Sequence, residues 1–156
     1  MGWIAIRDKL VTHLEDVTDI GKVEGFRRQI RFWDEYVAKA VKDGRVNFWE
    51  IDRTGRRRVL DGVSGGPSVW RVHHQVTILG RMSMLDESES SNDFQPLVDA
   101  VDDELRSDPL LNEGTPGQES LLLPFETGTP IIGHEKFGDV LCHQAVFTFE
   151  VQERVS

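Results

Sequence analysis

The sequence predicts an α+β fold: two main helices packed on one face of a largely antiparallel sheet, with a projecting loop or β-arm. Two strand-like runs and a pair of amphipathic helices carry that expectation. In the run Val140 to Val151, Leu141, Ala145, Phe147, Phe149 and Val151 point one way, while Gln144, Thr148, Glu150 and the adjoining Gln152 point the other. The run Val69 to Leu79 repeats the device, with Trp70, Val72, Val76 and Ile78 on one face. Half-apolar strands of this kind build an antiparallel sheet with one covered face, and the two helices supply the cover.

Taken in order, Trp3, Ile6, Leu10 and Leu14, with Val11 beside them, recur at the spacing of an amphipathic helix, and Gly21 is the stop signal beyond it. Val23 opens a short apolar bead. The aromatic-basic segment Phe26 to Trp33 fits a strand, a bent loop or the start of a helix running through Tyr36 and Val41. Lys42-Asp43-Gly44 punctuates, Arg45 to Arg53 reads as a strand rich in aromatic and branched residues, and Thr54-Gly55 turns the chain. Arg56 to Pro67 is basic and then glycine-rich, which predicts the projecting loop or arm before a strand over Ser68 to Arg81.

An acidic, serine-rich link (Asp86 to Ser91) leads to Asn92 and Gln95, a capping pair for a helix with Pro96 in its first turn. Phe94, Leu97, Val98, Val101 and Leu105 form its apolar stripe, and Ser107-Asp108-Pro109 ends it. Asn112 to Gly117 is turn-like, Glu119 to Phe125 reads as another strand, and Thr127 to Gly138 as a loop carrying His134. No repeat or domain boundary interrupts residues 1–156, so a single domain is expected.

A chain of 156 residues can bury a core without metal or disulfide help. Its formal charge of −9 argues against a general nucleic-acid binder, whose affinity comes from clustered Lys and Arg releasing counterions. The dense basic run is Arg56-Arg57-Arg58, whereas acids crowd Asp86 to Asp108. Cys142 is the sole cysteine, so no intrachain disulfide forms, and either a reducing compartment or indifference to redox is expected. Neither a secretory signal nor a membrane span is visible, and a soluble protein is expected.

The residues able to do chemistry read more readily as structure. His73 and His74 are neighbours on a strand, so they point to opposite faces and do not share a metal. His74 and His143 fall on the apolar face, where a hydrogen-bonded core histidine is the commoner outcome. Cys142 with His74 or His143 as base is the enzyme alternative, a small metal-dependent hydrolase. That reading lacks a spaced ligand motif, and a structural thiol is the plainer one. Gly62 to Pro67 has neither the lysine nor the succeeding helix of a phosphate loop. Asp99, Asp102 and Asp103 sit opposite the apolar stripe of their helix as a solvated acidic surface or the lining of a channel. Arg56, Arg57 and Arg58 suit either a solvated loop or contact with an acidic partner surface or nucleic-acid backbone.

Several stretches together resemble the tail terminator, or tail-completion, proteins of long-tailed bacteriophages. They are Ile4 to Leu10 with Gly21-Lys22-Val23 after it, His74 to Gly80, Phe94 through Leu97 to Val101 with Leu105 and Asp108-Pro109, and Gly138 to Ala145. The resemblance spans nearly the whole chain and rests on hydrophobic pattern and order. It implies a structural virion protein, not an enzyme, without cofactor or metal. Such a protein is assembled in the host cytoplasm and forms a hexameric ring on the head-proximal end of the tail tube. The implied partners are further copies of the chain, the major tail tube protein and a head-tail connector, with no membrane contact and DNA passing through the lumen without specific binding. Another head-tail joining or minor tail protein is the nearest alternative. An arm over Arg53 to Pro67 with Arg56, Arg57 and Arg58 would meet Asp86, Glu87 and Glu89, or Asp99 and Asp103, of the next subunit.

Overall fold

The computed structural model describes residues 2–26, 35, 38, 40–42, 45–61, 69–84, 90–107, 111, 120–122 and 130–155. Within them the chain runs α1 (Trp3–Asp16), β1 (Lys22–Glu24), β2 (Val41–Lys42), β3 (Arg45–Asp61), β4 (Val69–Ser83), α2 (Ser91–Ser107), β5 (Ser120–Leu122), β6 (Ile131–Phe137) and β7 (Val140–Val155). The architecture is mixed α+β.

The three long strands β3, β4 and β7 form the antiparallel spine, with Ile51 opposite Ile78 and Ile78 opposite Phe147. β1 lies parallel to β3, Val23 facing Trp49, and β2 pairs with the start of the same strand. On the far side, β6 covers Val140–Val146 of β7 and β5 covers its Val151–Glu153 stretch, both antiparallel. Only the β1–β3 pairing among the described strands is parallel, so the sheet is mixed but mostly antiparallel.

Alternation along the strands gives the sheet two unlike faces. One, the helix face, carries Trp49 and Ile51, Val76 and Ile78, and Phe147, Phe149 and Val151, packed under Ile6, Leu10 and Leu14 of α1 and the Phe94–Leu105 stripe of α2. Each fully buried Leu, Ile or Phe contributes about 1.5–3 kcal/mol, so this layer is the main source of stability. The helices close over it through His13 Nδ1 and Glu104 Oε1, 2.9 Å apart. Gly80 is small because the Trp49 ring crosses it: a Cβ there would come within 2.5 Å of the indole. The far face holds a smaller apolar group, Ala40, Val46, Phe48, Phe137 and Cys142, and beside it the buried charges of Glu50 and Arg81.

Several expectations change. Thr54-Gly55 does not turn the chain: β3 runs on to Asp61, and the register shift between Arg53 and Gly55 is a bulge that inserts one residue and swaps which parity faces the helices. The segment Thr127 to Gly138, expected as loop, contains β6. Gly138 (φ +62°) and Asp139 close a two-residue hairpin between Phe137 and Val140, a turn that requires positive φ. α2 begins at Ser91, so Asn92 lies inside the helix, with Phe94 N–H donating to the Ser90 carbonyl, and Pro96 sits in the second turn. Of the strand expected over Glu119 to Phe125, Ser120–Leu122 is described and forms β5. Leu141 and Trp70 have the expected parity but are 52% and 37% exposed. The segments 27–34 and 62–68 lie outside the described residues.

Candidate functional site

The bulge decides where the basic run points. Before it, Trp49, Ile51 and Arg53 face the helices; after it, Arg56 pairs with His74, Arg58 with Val72 and Leu60 with Trp70 on that same face, while Arg57 pairs with His73 on the far one. The three consecutive arginines are therefore split between surfaces. We call the stretch of β3 and β4 beyond the bulge the arm.

On the far face the arm is tied down. Arg57 Nη2 donates to Glu150 Oε2 at 3.2 Å, and His73 Nδ1 lies within hydrogen-bond distance of Glu150 Oε1. Burial works to raise the Glu150 carboxyl, but the hydrogen bonds and charges of His73 and Arg57 outweigh it and hold the group below the usual carboxylate range. Arg71 adds a 3.3 Å bond to Gln152. These links cross all three long strands and brace the arm against bending.

On the helix face, His74 lies at 3.0 Å from Glu153 through Nε2, with both side chains buried, and the Trp3 ring covers it at 5.9 Å. Arg53 sits 5.3 Å above Trp3. Beyond it on the same face Val72 is still fully buried. Arg56 is exposed, Arg58 stacks on Trp70 at 5.7 Å, and Leu60 and Trp70 form an exposed cross-strand pair, 39% and 37% open. The outer edge of β3 has no strand partner from Ile51 to Asp61 among the described residues, since β1 ends opposite Glu50. An unpaired edge of that length is a ready template for another chain.

The acidic counterparts are partly placed. Asp99 and Asp103 stand exposed on α2, and Asp102 is held by Arg106 at 2.8 Å. Asp86, Glu87 and Glu89 lie outside the described residues. Close to α2, and not anticipated from the sequence, is a groove of about 550 Å³ between the α1–β1 turn, the start of β3, the end of β4 and the first half of α2. Met82, Leu97, Pro96 and Ala100 form its apolar wall and Asp19 and Asp93 its acidic rim, with Arg45 Nη1 3.1 Å from Asp93. A groove between elements distant in sequence leaves no local pattern by which to find it.

The residues of the enzyme alternative are not brought together. His74 faces Val151 and His143 faces Met82, about 27 Å apart along the sheet at ~3.4 Å per residue. His143 receives or donates a 2.9 Å bond with Ser90 Oγ and stacks on Phe94, while Cys142 points to the far face. Burial first, then the charges of His134 and Arg45, pushes the His143 imidazole down. Burial pushes the Cys142 thiol up to about 11, away from the thiolate a nucleophile needs. No three His, Cys, Asp or Glu side chains converge as a metal site among the described residues. No described helix is long and apolar enough to cross a membrane. Comparison with protein-family models and with curated proteins returned no match to this chain.

Proposed function

We propose that this protein is a structural component of a bacteriophage or phage-like tail, closing into a hexameric ring at the head-proximal end of the tail tube. In that place it ends tube polymerisation and offers the surface to which the head joins. Its partners are further copies of itself, the major tail tube protein and a head-tail connector, and DNA passes through the opening. The observation that carries the reading is the outer edge of β3, unpaired from Ile51 to Asp61 among the described residues and held to β4 and β7 by the Arg57–Glu150–His73 cluster. An edge of this kind is satisfied in every copy when a head-to-tail contact repeats around a closed ring. The excess negative charge supports the same reading, because a lumen without strong phosphate attraction lets DNA slide.

The test is to add purified protein to polymerising tail tube protein and track tube length and end structure by electron microscopy. Tubes that stop growing and carry a perforated ring at one end are the expected result. Tubes of unchanged length, with the protein absent from their ends, would refute the assignment.

A further inference from the structure

The arm tip and the groove beside α2 are complementary in three respects. The tip offers two exposed apolar side chains, Leu60 and Trp70, and the groove offers an apolar wall of Met82, Leu97, Pro96 and Ala100 with room for an indole and a leucine side chain together. Arg56 and Arg58 accompany the apolar pair on the helix face of the arm, and Asp99 and Asp103 accompany Pro96 and Ala100 on the exposed side of α2. The spacings agree as well: two residues along a strand separate Arg56 from Arg58 by about 6.8 Å, and four residues along a helix separate Asp99 from Asp103 by about 6 Å.

Tip and groove cannot meet within one molecule. Trp70 and Met82 lie on the same strand, β4, about 40 Å apart at ~3.4 Å per residue. From these observations we infer that the arm tip of one copy seats in the groove beside α2 of a second copy, Trp70 and Leu60 entering it and Arg56 and Arg58 meeting Asp99 and Asp103. The occupant is another copy of this chain because each copy carries both halves of the contact, with opposite charge. A contact between unlike surfaces leaves a free tip and a free groove at either end of any pair, so it propagates until it closes. This inference rests on the proposed ring but assigns the residues that the ring by itself leaves open.

Introducing Leu60→Cys and Ala100→Cys together tests it in the full chain, with a short bis-maleimide as cross-linker and the wild type, whose sole cysteine is the buried Cys142, as control. Both positions are exposed, so neither change threatens the core. The expected result is a ladder of covalent multimers for the double variant, and dimers alone for an equimolar mixture of the single variants. Trp70→Ala, which removes the central aromatic anchor, is expected to raise the concentration for half-assembly about 30-fold by sedimentation. If the wild type sediments as an oligomer and the double variant stays monomeric on the gel, the assigned contact is wrong and the ring survives. A ladder from a protein that never forms closed rings would keep the contact and overturn the ring. Monomers in every experiment would remove both.

Discussion

Arg81 is the residue whose loss should be felt most on the far face. Its guanidinium is 4% exposed and bridges two carboxylates, donating through Nη1 to Glu50 at 2.6 Å and through Nε to Glu135 at 2.8 Å. The Phe137 ring lies 4.9 Å away. Burial disfavours the charged arginine, but its bonds to Glu135 and Glu50 and their charges outweigh that and raise its pKa. Arg81→Met keeps the aliphatic bulk and removes the charge, breaking the 2.6 Å ion pair with Glu50, itself 2% exposed. Removing one partner of a buried pair costs about 3–5 kcal/mol, a large part of the roughly 5–15 kcal/mol that holds a domain together. At about 2–4 °C per kcal/mol for a chain of this size, the melting temperature should fall by roughly 6–20 °C. Glu135 is less at risk, because its side chain is 34% exposed and accepts a 2.6 Å bond from Gln144. The double variant Glu50→Leu, Arg81→Met removes both buried charges and should regain most of the loss. Urea unfolding monitored by tryptophan fluorescence reads all three proteins, with the m-value as the check that the unfolding transition is unchanged. A single variant destabilised by less than about 1 kcal/mol, the worth of an exposed pair, would refute the reasoning, as would a double variant no more stable than the single.

Three further outcomes are expected. Gly80→Ala drives a methyl into the Trp49 ring and should cost about 1–3 kcal/mol in urea unfolding, with a shifted native tryptophan emission maximum; a neutral substitution would mean the ring can move. Because the folded Glu150 carboxyl is held below its ordinary value of 4.5, its stabilisation is complete above that pH and is lost as the pH falls through the lower folded value. Glu150→Gln should therefore flatten the acid limb of a stability–pH curve, and an unchanged limb would count against the cluster. The buried Cys142 should react with a disulfide reagent at pH 8 far more slowly in native protein than in 6 M guanidinium at the same pH, by a factor on the order of 10³ or more if reaction requires global opening; equal rates would place the thiol at the surface.

The α+β class and most of the long elements were legible in the sequence because each is dictated by a local rule. The alternation of Phe147, Phe149 and Val151 and the helical recurrence of Leu97, Val98, Val101 and Leu105 name both the element and the face it buries. His74 and His143 could be read as core residues from parity alone, and the structure gives each a hydrogen-bond partner, Glu153 and Ser90. The two-residue turn at Gly138-Asp139, flanked by Phe137 and Val140, was a hairpin signal that the apparent looseness of the preceding residues concealed.

What tertiary structure alone decided is which surfaces those elements leave free. A single inserted residue between Arg53 and Gly55 sends Arg56 and Arg58 to one face and Arg57 to the other, and a bulge is a property of strand pairing that neither strand carries by itself. Among the described residues the edge of β3 is open because β1 stops opposite Glu50, and the groove exists because α2 and the α1–β1 turn come together over Met82. Local periodicity depends on neighbours in the chain, so it can be read from one sequence. Exposure depends on what does or does not pack on an element from elsewhere, and that is settled only when the whole chain has folded.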